Sequence, residues 1–371
     1  MRYSLIFLFV LLACQDEGNV DHWILKQRGQ ETYPLDSTTG FHSYAIQLFN
    51  YNGQGFLAIG NRNTDEINIY NRSINDHSLA AKLPLATEGP NALGTTPWAF
   101  HIVNFDTIFV LSHWEGILSQ IDSSGTVFYK KLLTKNSWKG DPHPWAGTSH
   151  PMLYNAPANT ISVPGVVRLP GPQNYSGSYA MIDLNYVKDT FSYSVSYPKI
   201  YDTGFWHQDG FTKGPVSKSL KGDVRIASFG IDPYIRFSDG DSSLASSEYL
   251  REKFVAPAKR YTEGLVPENS LELLYLQGCY RILLPDPYRK VYYRFVDTPL
   301  SLDAFEEGVR DFRTSIIILD ENFKKQGETL LPKSAFSYMF YLAEDGLYIA
   351  NREAYYQKED VLTFDRYILE K

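Results

Sequence analysis

A pair of short apolar strands recurs six times along this chain, and this repeat restricts the fold more than any other feature of the sequence. The first strand of each pair is rich in Ile, Val, Leu and Phe, and the second tends to end beside a turn-forming residue. The first strands have a mean spacing of about 58 residues. Their centres are Leu57, Ile108, Ile161, Val224, Ile282 and Leu347. The second strands are Ile67 to Asn71, Leu118 to Asp122, Tyr179 to Asp183, Tyr234 to Ser238, Ile316 to Asp320, and Leu362 to Asp365.

Six β-hairpins of this size predict an all-β fold, a six-bladed β-propeller. One hairpin is too small to bury both of its faces, whereas a ring of blades leaves only short, protected sheet edges. A two-sheet sandwich does not suit so long a folded segment, and two separate β domains remain the alternative, although no Pro-, Ser- or Gly-rich linker interrupts the repeats. We expect one propeller over residues 33–371. The segment around Tyr44 to Phe49 is predicted to close the ring against Leu347 to Ala350 and Arg366 to Leu369.

Two segments break the strand pattern and predict small helical insertions. Ser242 to Phe254 begins with a capping-type sequence and then places apolar residues at helical spacing. Leu302 to Phe312 does the same, and an insertion there explains why the two strands of the fifth pair are so far apart.

The first residues predict an export signal followed by a lipid anchor. Arg2 precedes an unbroken apolar run from Leu5 to Leu12, which is too short for a permanent transmembrane helix. The tetrad that ends in Cys14 resembles the bacterial lipoprotein box, and this resemblance implies cleavage after residue 13 and three acyl chains on Cys14, which suffice for firm membrane attachment. A plain cleaved signal with an incidental cysteine is the alternative. Residues 14–32 are interpreted as the lipidated cysteine and a flexible polar tether.

The acidic residues after Cys14 bear on the location of the protein. Gln15 to Glu17 resembles the export tag of surface lipoproteins in Bacteroidetes-type Gram-negative bacteria, and a solvated acidic tether is the alternative. We therefore expect an outer-membrane lipoprotein on the cell surface or on the periplasmic face. With Cys14 acylated, Cys279 is the remaining thiol of the two cysteines, so no intramolecular disulfide forms.

Composition excludes several classes of protein. The chain has 43% hydrophobic and 15% aromatic residues, which excludes disorder over its whole length. A formal net charge of −7 without a basic stripe argues against nucleic acid as a partner. The five cations Lys259, Arg260, Arg289, Arg294 and Arg366 are scattered and are expected on solvated faces.

Five short motifs are spread over most of the mature chain. They are Lys82 to Asn91, Phe105 to Leu111, Ile121 to Gly125, Arg260 to Gly264, and Pro287 to Arg294. With these motifs the sequence resembles a family of bacterial lipoproteins known only as domain of unknown function 4221. The resemblance implies a TolB-like six-bladed propeller that is located at a membrane. The family offers no established activity and no catalytic residues to transfer.

The loop from Asn136 to Met152 is the strongest candidate for a ligand site. It concentrates Trp138, His143, Trp145 and His150 on a long connection, and tryptophan beside polar groups suits stacking on flat ligands. The alternative is a connection between blades whose tryptophans pack into the core. Glu88, in the turn Glu88 to Asn91, is a further candidate contact. The spacing of these residues matches no known metal motif, so no metal or cofactor is predicted.

Two classes of function follow. The first is a non-catalytic binding or scaffold propeller that is held on the membrane and takes a glycan, peptide or protein ligand. The alternative is a propeller hydrolase or lyase that acts on extracellular glycan or peptide. The sequence contains no nucleophile elbow and no phosphate-binding glycine loop, so no catalytic residue is predicted and the first class is favoured.

Overall fold

The computed structural model describes residues 22–41, 43, 45–73, 76–95, 97–134, 141–167, 175–203, 206, 209–255 and 268–371. Its strands form six antiparallel sheets, which are the six blades of a β-propeller. The predicted fold class is therefore confirmed. We number the blades from the sheet that begins at Ile46.

Blades 1 to 3 are built from strands that follow one another along the chain. Blade 1 consists of β2 Ile46–Tyr51, β3 Gln54–Asn61, β4 Glu66–Asn71 and β5 Leu79–Pro84. Blade 2 consists of β6 Pro97–Asn104, β7 Thr107–Ser112, β8 Ile117–Ile121 and β9 Val127–Leu132. Blade 3 consists of β10 His143–Pro144, β11 Leu153–Asn155, β12 Thr160–Val166, β13 Tyr179–Asn185 and β14 Thr190–Ser196; both β10 and β11 pair with β12.

Blades 4 and 5 repeat this arrangement, and blade 6 combines the two ends of the chain. Blade 4 consists of β15 Val216–Lys218, β16 Arg225–Ser228, β17 Tyr234–Phe237 and β18 Ser242–Leu244. Blade 5 consists of β19 Cys279–Asp286, β20 Val291–Asp297, β21 Thr314–Asp320 and β22 Lys325–Leu330. Blade 6 consists of β23 Ala335–Ala343, β24 Gly346–Asn351, β25 Val361–Glu370 and, on its outer edge, β1 Ile24–Pro34.

The strand that closes the ring corrects two expectations. It is β1, which pairs antiparallel with β25 from Ile24 opposite Glu370 to Pro34 opposite Val361. Ile46–Tyr51 is instead the first strand of blade 1, and Tyr44 lies outside the described residues. The propeller therefore begins before Tyr33, and the polar segment through Thr32 is not all tether. Leu25 and Tyr33 are buried while the residues between them are mostly exposed and polar, as expected of an outer edge strand.

The hairpin repeat is found in all six blades, with one shift of position. Each predicted second strand overlaps the third strand of a blade, and most predicted first strands overlap the second. Ile282 is the exception, because it lies on β19, the first strand of blade 5. The second strand there is β20, so the long interval in this unit reflects both the early starting strand and the insertion before β21.

Helices are short and few among the described residues: α1 Asp209–Thr212, α2 Glu268–Gln277, α3 Leu302–Glu306 and α4 Arg352–Gln357, with 3-10 turns at Tyr175–Gly177 and Lys199–Thr203. None of them combines the length and the apolar character that a bilayer crossing requires. The helix expected over Leu302 to Phe312 forms only as α3, and Gly308, with a φ of 87°, follows its end.

The prediction of a helix over Ser242 to Phe254 is wrong. Its first residues form β18 instead, the outer strand of blade 4. Beyond it, the carboxylate of Glu328 in blade 5 accepts hydrogen bonds from the Ser247 hydroxyl at 2.5 Å and from the Glu248 backbone N–H at 3.1 Å. These bonds to a neighbouring blade replace the bonds that a helix would make.

The core lies between neighbouring blades. Ile69 of blade 1 and Ile108 of blade 2 belong to one buried cluster, and the rings of Phe295 in blade 5 and Phe340 in blade 6 have their centroids 5.1 Å apart. Each such buried apolar side chain contributes roughly 1.5–3 kcal/mol. The first strands of the blades meet at the centre, where β2 contacts β6 and β23, and β15 contacts β19.

Candidate functional site

A cavity of about 220 Å³ lies at the centre of the ring. It is formed where the first strands of blades 5 and 6 and the segments that lead into blades 3 and 4 converge. Its described lining consists of residues 145–150, Gly210, Lys213, Leu274, Cys279, Tyr280, Arg281, Asp297, Phe312 and Tyr338. We call this space the axial cavity.

One wall of the axial cavity is a tight turn that follows β10. Gly147 and His150 exchange backbone hydrogen bonds of 3.0 and 3.1 Å, which places Thr148 and Ser149 at the tip. The Thr148 hydroxyl accepts a 2.9 Å hydrogen bond from the backbone N–H of Ile46 in blade 1. The turn is thus tied to blade 1, and its residues Trp145 and His150 line the cavity.

The opposite wall carries a buried ion pair. Arg281 Nε lies 3.0 Å from Asp297 Oδ1, and the Tyr338 hydroxyl donates to Asp297 Oδ2 at 2.9 Å. Arg281 also donates to the Ser337 hydroxyl at 2.6 Å, and its Cζ lies 4.0 Å from the centroid of the Tyr338 ring. Burial raises the pKa of Asp297, while Arg281 and the Tyr338 hydrogen bond act in the opposite direction.

His150 is the polar residue of this cavity that stands out. Its side chain is only 7% exposed, and its Nε2 has no hydrogen-bond partner within the described part of the chain. Burial, assisted by the positive charges of Lys213 and Arg281, holds the pKa of His150 well below its usual value, so the ring is neutral. A neutral imidazole nitrogen in such a place is ready to donate or accept one hydrogen bond.

Trp145 fixes a cation at the cavity wall. Its ring stacks on His113 with centroids 4.8 Å apart, and Lys213 Nζ lies 4.5 Å from its centroid. His113 Nε2 donates to the backbone carbonyl of Ala146 at 2.7 Å, which anchors the stack. The indole is half-buried, and His113 and Lys213 both contact its ring. Its contact with Lys213 places that cation at the cavity wall.

Comparison with known proteins places the chain in a family. The model of the family described as "Domain of unknown function (DUF4221)" matches residues 24–330. The chain belongs to the DUF4221 family. A search of curated proteins finds no match.

Solved structures share the fold of this DUF4221 chain. A DUF4221 member from Bacteroides vulgatus has a TM-score of 0.79 and 21% identity over 95% of this chain and 99% of its own. A Bacteroides fragilis protein, provisionally described as exported, has a TM-score of 0.51 and 10% identity over 96% of this chain and 98% of its own. An Agrobacterium tumefaciens protein, provisionally described as TolB, has a TM-score of 0.42 and 10% identity over 91% of this chain and 97% of its own.

The candidate residues of the DUF4221 sequence fall into three groups. Trp145 and His150 line the axial cavity together. His143 lies just before the turn, but its Nε2 donates to the backbone carbonyl of His113 at 2.7 Å and it does not line the cavity. Glu88 lies in an exposed turn after β5 and is not part of this lining either. Trp138 and Cys14 lie outside the described residues.

Sequence reasoning missed the other half of the site. Lys213, Arg281, Asp297 and Tyr338 come from three blades, and no local pattern announces that these residues meet. The prediction that Arg294 lies on a solvated face is wrong. Arg294 is fully buried, and its guanidinium donates hydrogen bonds to backbone carbonyls of blade 4. A cation inside a strand as apolar as β20 was the available signal.

Proposed function

We propose that this DUF4221 propeller is an exported lipoprotein that binds a small ligand in its axial cavity without transforming it. The observation that carries the binding proposal is the axial cavity itself, whose described lining brings Trp145, Arg281, Asp297 and Tyr338 together with apolar side chains. Concave sites that combine apolar walls with a few convergent polar groups are where small ligands bind.

The electrostatics of the cavity favour binding over catalysis. The thiol of Cys279 and the imidazole of His150 both line the cavity, and together they are the groups that thiol catalysis would use. Burial raises the pKa of the Cys279 thiol far above its usual value, and burial lowers the pKa of His150. Both groups are therefore held neutral, whereas thiol catalysis needs a thiolate beside an imidazolium. Hydrolysis or lysis of a glycan or peptide remains the less supported alternative.

The size of the cavity limits the ligand. Pockets for drug-sized molecules measure about 300–1,000 Å³, and the axial cavity is smaller at about 220 Å³. It suits a small molecule, or one group at the end of a larger glycan, peptide or protein. The lining of both charged and apolar side chains supplies orientation as well as contact area.

Export and anchoring rest on the first residues of the sequence. The apolar run from Leu5 to Leu12 followed by Cys14 is the pattern of a lipoprotein signal, and acyl chains would hold the propeller at the outer membrane, on the surface or on the periplasmic face. The provisional description of the Bacteroides fragilis neighbour as exported agrees with this address.

A thermal-shift screen tests the binding function. The mature chain, with Cys14→Ser so that it stays in solution, is heated with small sugars, short peptides and organic acids; a ligand specific to the native state raises the midpoint. We expect Trp145→Ala to abolish the shift because the indole is part of the cavity wall. Trp114→Ala is the matched control, since Trp114 contacts Trp145 but is 57% exposed and does not line the cavity. No shift with any member of the screen would overturn the proposal.

A further inference from the structure

We propose that a short connection to the lipid anchor turns the axial cavity towards the aqueous side, so that a ligand reaches the cavity from water and not from the bilayer. This inference rests on the proposed acylation of Cys14. It follows from the placement of two features, because strand β1 begins at one end of the ring and the axial cavity lies towards the other.

Strand β1 begins at the end of the ring where the chain also finishes. Its first residue, Ile24, is paired with Glu370 at the end of β25, and its last residue, Pro34, is paired with the first residue of β25. The turn that joins β23 to β24 lies at the same end as Ile24, because Leu347, just after this turn, pairs with Tyr367 in the second half of β25. We call this end of the ring the anchor face.

The axial cavity lies towards the opposite end of the ring. It is lined by Cys279 to Arg281, the first three residues of β19, and by Asp297, the last residue of β20. Asp311, in the segment between β20 and β21, forms a 2.7 Å ion pair with Arg352 at the start of α4. Helix α4 connects β24 to β25, so it lies at the end of blade 6 where β1 finishes. We call this end the cavity face.

The length of the connection decides which face meets the membrane. Ile24 follows Cys14 by ten residues, and ten residues span at most about 35 Å at full extension. Strand β1 has 11 residues and is itself about 35 Å long. Acyl chains on Cys14 therefore reach the plane of the cavity face only when the whole connection is fully extended and runs back along β1. Full extension removes the conformational freedom of the connection, so the anchor face is favoured.

This orientation limits the origin of the ligand. The bilayer lies beyond the anchor face, whereas Cys279 and Asp297 line the cavity at the other end of the ring. A lipid chain would have to leave the membrane to enter the cavity, which costs the full exposure of its hydrocarbon to water. The ligand is therefore a molecule dissolved in the aqueous space, or a group displayed there by a larger molecule.

Quenching of a dye by the bilayer measures the orientation. The purified, acylated protein is inserted into phosphatidylcholine vesicles whose headgroups carry a nitroxide, which quenches a dye only at short range. A thiol-reactive dye is attached to Glu344→Cys, in the turn at the anchor face, or to Glu353→Cys, in α4 at the cavity face. Both positions are exposed and belong to blade 6. We expect the dye of Glu344→Cys to be quenched at least twofold more strongly.

Two controls accompany this measurement. The protein without either substitution reports any labelling of Cys279, which is buried. A second protein carries an insertion of about thirty Gly and Ser residues between residues 21 and 22, which brings the root-mean-square span of the connection to about 35 Å, the length of β1. We expect this insertion to remove the difference between the two dyes. Unfolding midpoints establish that all variants are folded.

The outcomes separate this inference from the anchor on which it rests. Mass spectrometry of the purified protein detects the acyl chains. Equal quenching of the two dyes in acylated protein, or stronger quenching of the dye of Glu353→Cys, overturns the orientation and leaves the lipid anchor standing. A twofold difference that persists after the insertion overturns the role of the short connection. A protein without acyl chains overturns both the anchor and this inference.

Discussion

Arg72, which follows the third strand of blade 1, places its Nη2 atom 2.9 Å from Oε1 of Glu31 on β1, the outer strand of blade 6. The same nitrogen lies 3.0 Å from Oδ1 of Asp345. The side chains of Arg72 and Glu31 are 18% and 16% exposed, so water screens the pair only partly. One guanidinium thus ties the strand that closes the ring to the neighbouring blade.

Neutralising Glu31 is expected to loosen this closure. Glu31→Gln keeps the size of the side chain but removes the charge that faces Arg72, and we expect the free energy of unfolding to fall by about 1–3 kcal/mol. Urea unfolding measures this change. Glu370→Gln is the control, because Glu370 pairs with Lys26 and Arg28 between the same two strands, and the side chains of this pair are more exposed than those of Arg72 and Glu31. Equal effects of the two substitutions would show that the ring does not depend on the Arg72 contact.

Arg294 is expected to be essential to the junction of blades 4 and 5. It is 0% exposed, its guanidinium donates to the carbonyl oxygens of Asp232, Pro233 and Ala245, and its Cζ lies 3.7 Å from the Tyr280 ring centroid. Arg294→Lys cannot reach all these acceptors, so we expect a loss of about 3–5 kcal/mol in denaturant unfolding. The control, Arg236→Lys at a half-exposed ion pair with Asp232, is expected to cost much less. Similar losses would contradict the assigned role.

Stability is expected to fall on mild acidification because the folded chain holds the buried His113 and His150 and the half-buried His101 in the neutral form. Burial lowers the pKa of His101 and of His113 from 6.5 to about 4. In the unfolded chain these rings take up a proton below pH 6.5, whereas the folded chain resists protonation until about pH 4. The stabilisation is complete above the unfolded pKa and is lost as the pH falls through this window, by roughly 1–3 kcal/mol per histidine.

Urea midpoints measured across this pH window test the histidine prediction. His113→Gln retains a donor for the Ala146 carbonyl but does not titrate, so it is expected to have a shallower pH dependence than the wild type. An unchanged dependence in the variant would mean that His113 does not contribute.

Anchoring is expected to depend on Cys14. In the proposed lipoprotein the anchoring free energy would reside in the acyl chains and not in the protein surface, so Cys14→Ser is expected to yield a protein that is absent from the membrane fraction. Cell fractionation followed by immunoblotting measures the distribution. The Cys279→Ser variant, in which the altered thiol is buried in the propeller, is expected to remain with the membrane. Membrane retention of the Cys14 variant equal to that of the wild type would refute lipidation.

The repeat reveals the blades but not the way the ring closes. The alternation of apolar strands and turns is local, so strands such as β3 and β7 can be read from residues near Leu57 and Ile108. β1 lies on an outer edge, where polar side chains face solvent, and its sequence between Leu25 and Tyr33 is indistinguishable from a tether. Its role depends on pairing with a strand at the far end of the chain, which sequence alone does not show.

The sequence predicted the residues of only one wall of the candidate site. Trp145 and His150 stand on one loop, where their chemistry is conspicuous in the sequence. Asp297 and Tyr338 come from the neighbouring blades 5 and 6 and meet through a hydrogen bond of 2.9 Å. Contacts between residues far apart in the chain follow from the geometry of the ring. They cannot be predicted from the sequence pattern of a single segment.

Filling the axial cavity tests the central claim most directly. Ser149 lies at the tip of the turn that lines the cavity, and Ser149→Phe is designed to fill the cavity with a large side chain. The ligand that binds the wild type most tightly is titrated into this variant by calorimetry. Ser246→Phe, at an exposed position that does not line the cavity, serves as the control. The account predicts that Ser149→Phe unfolds cooperatively but produces no binding heat, while the control binds like the wild type. Undiminished binding by folded Ser149→Phe would contradict the assignment of the axial cavity as the ligand site.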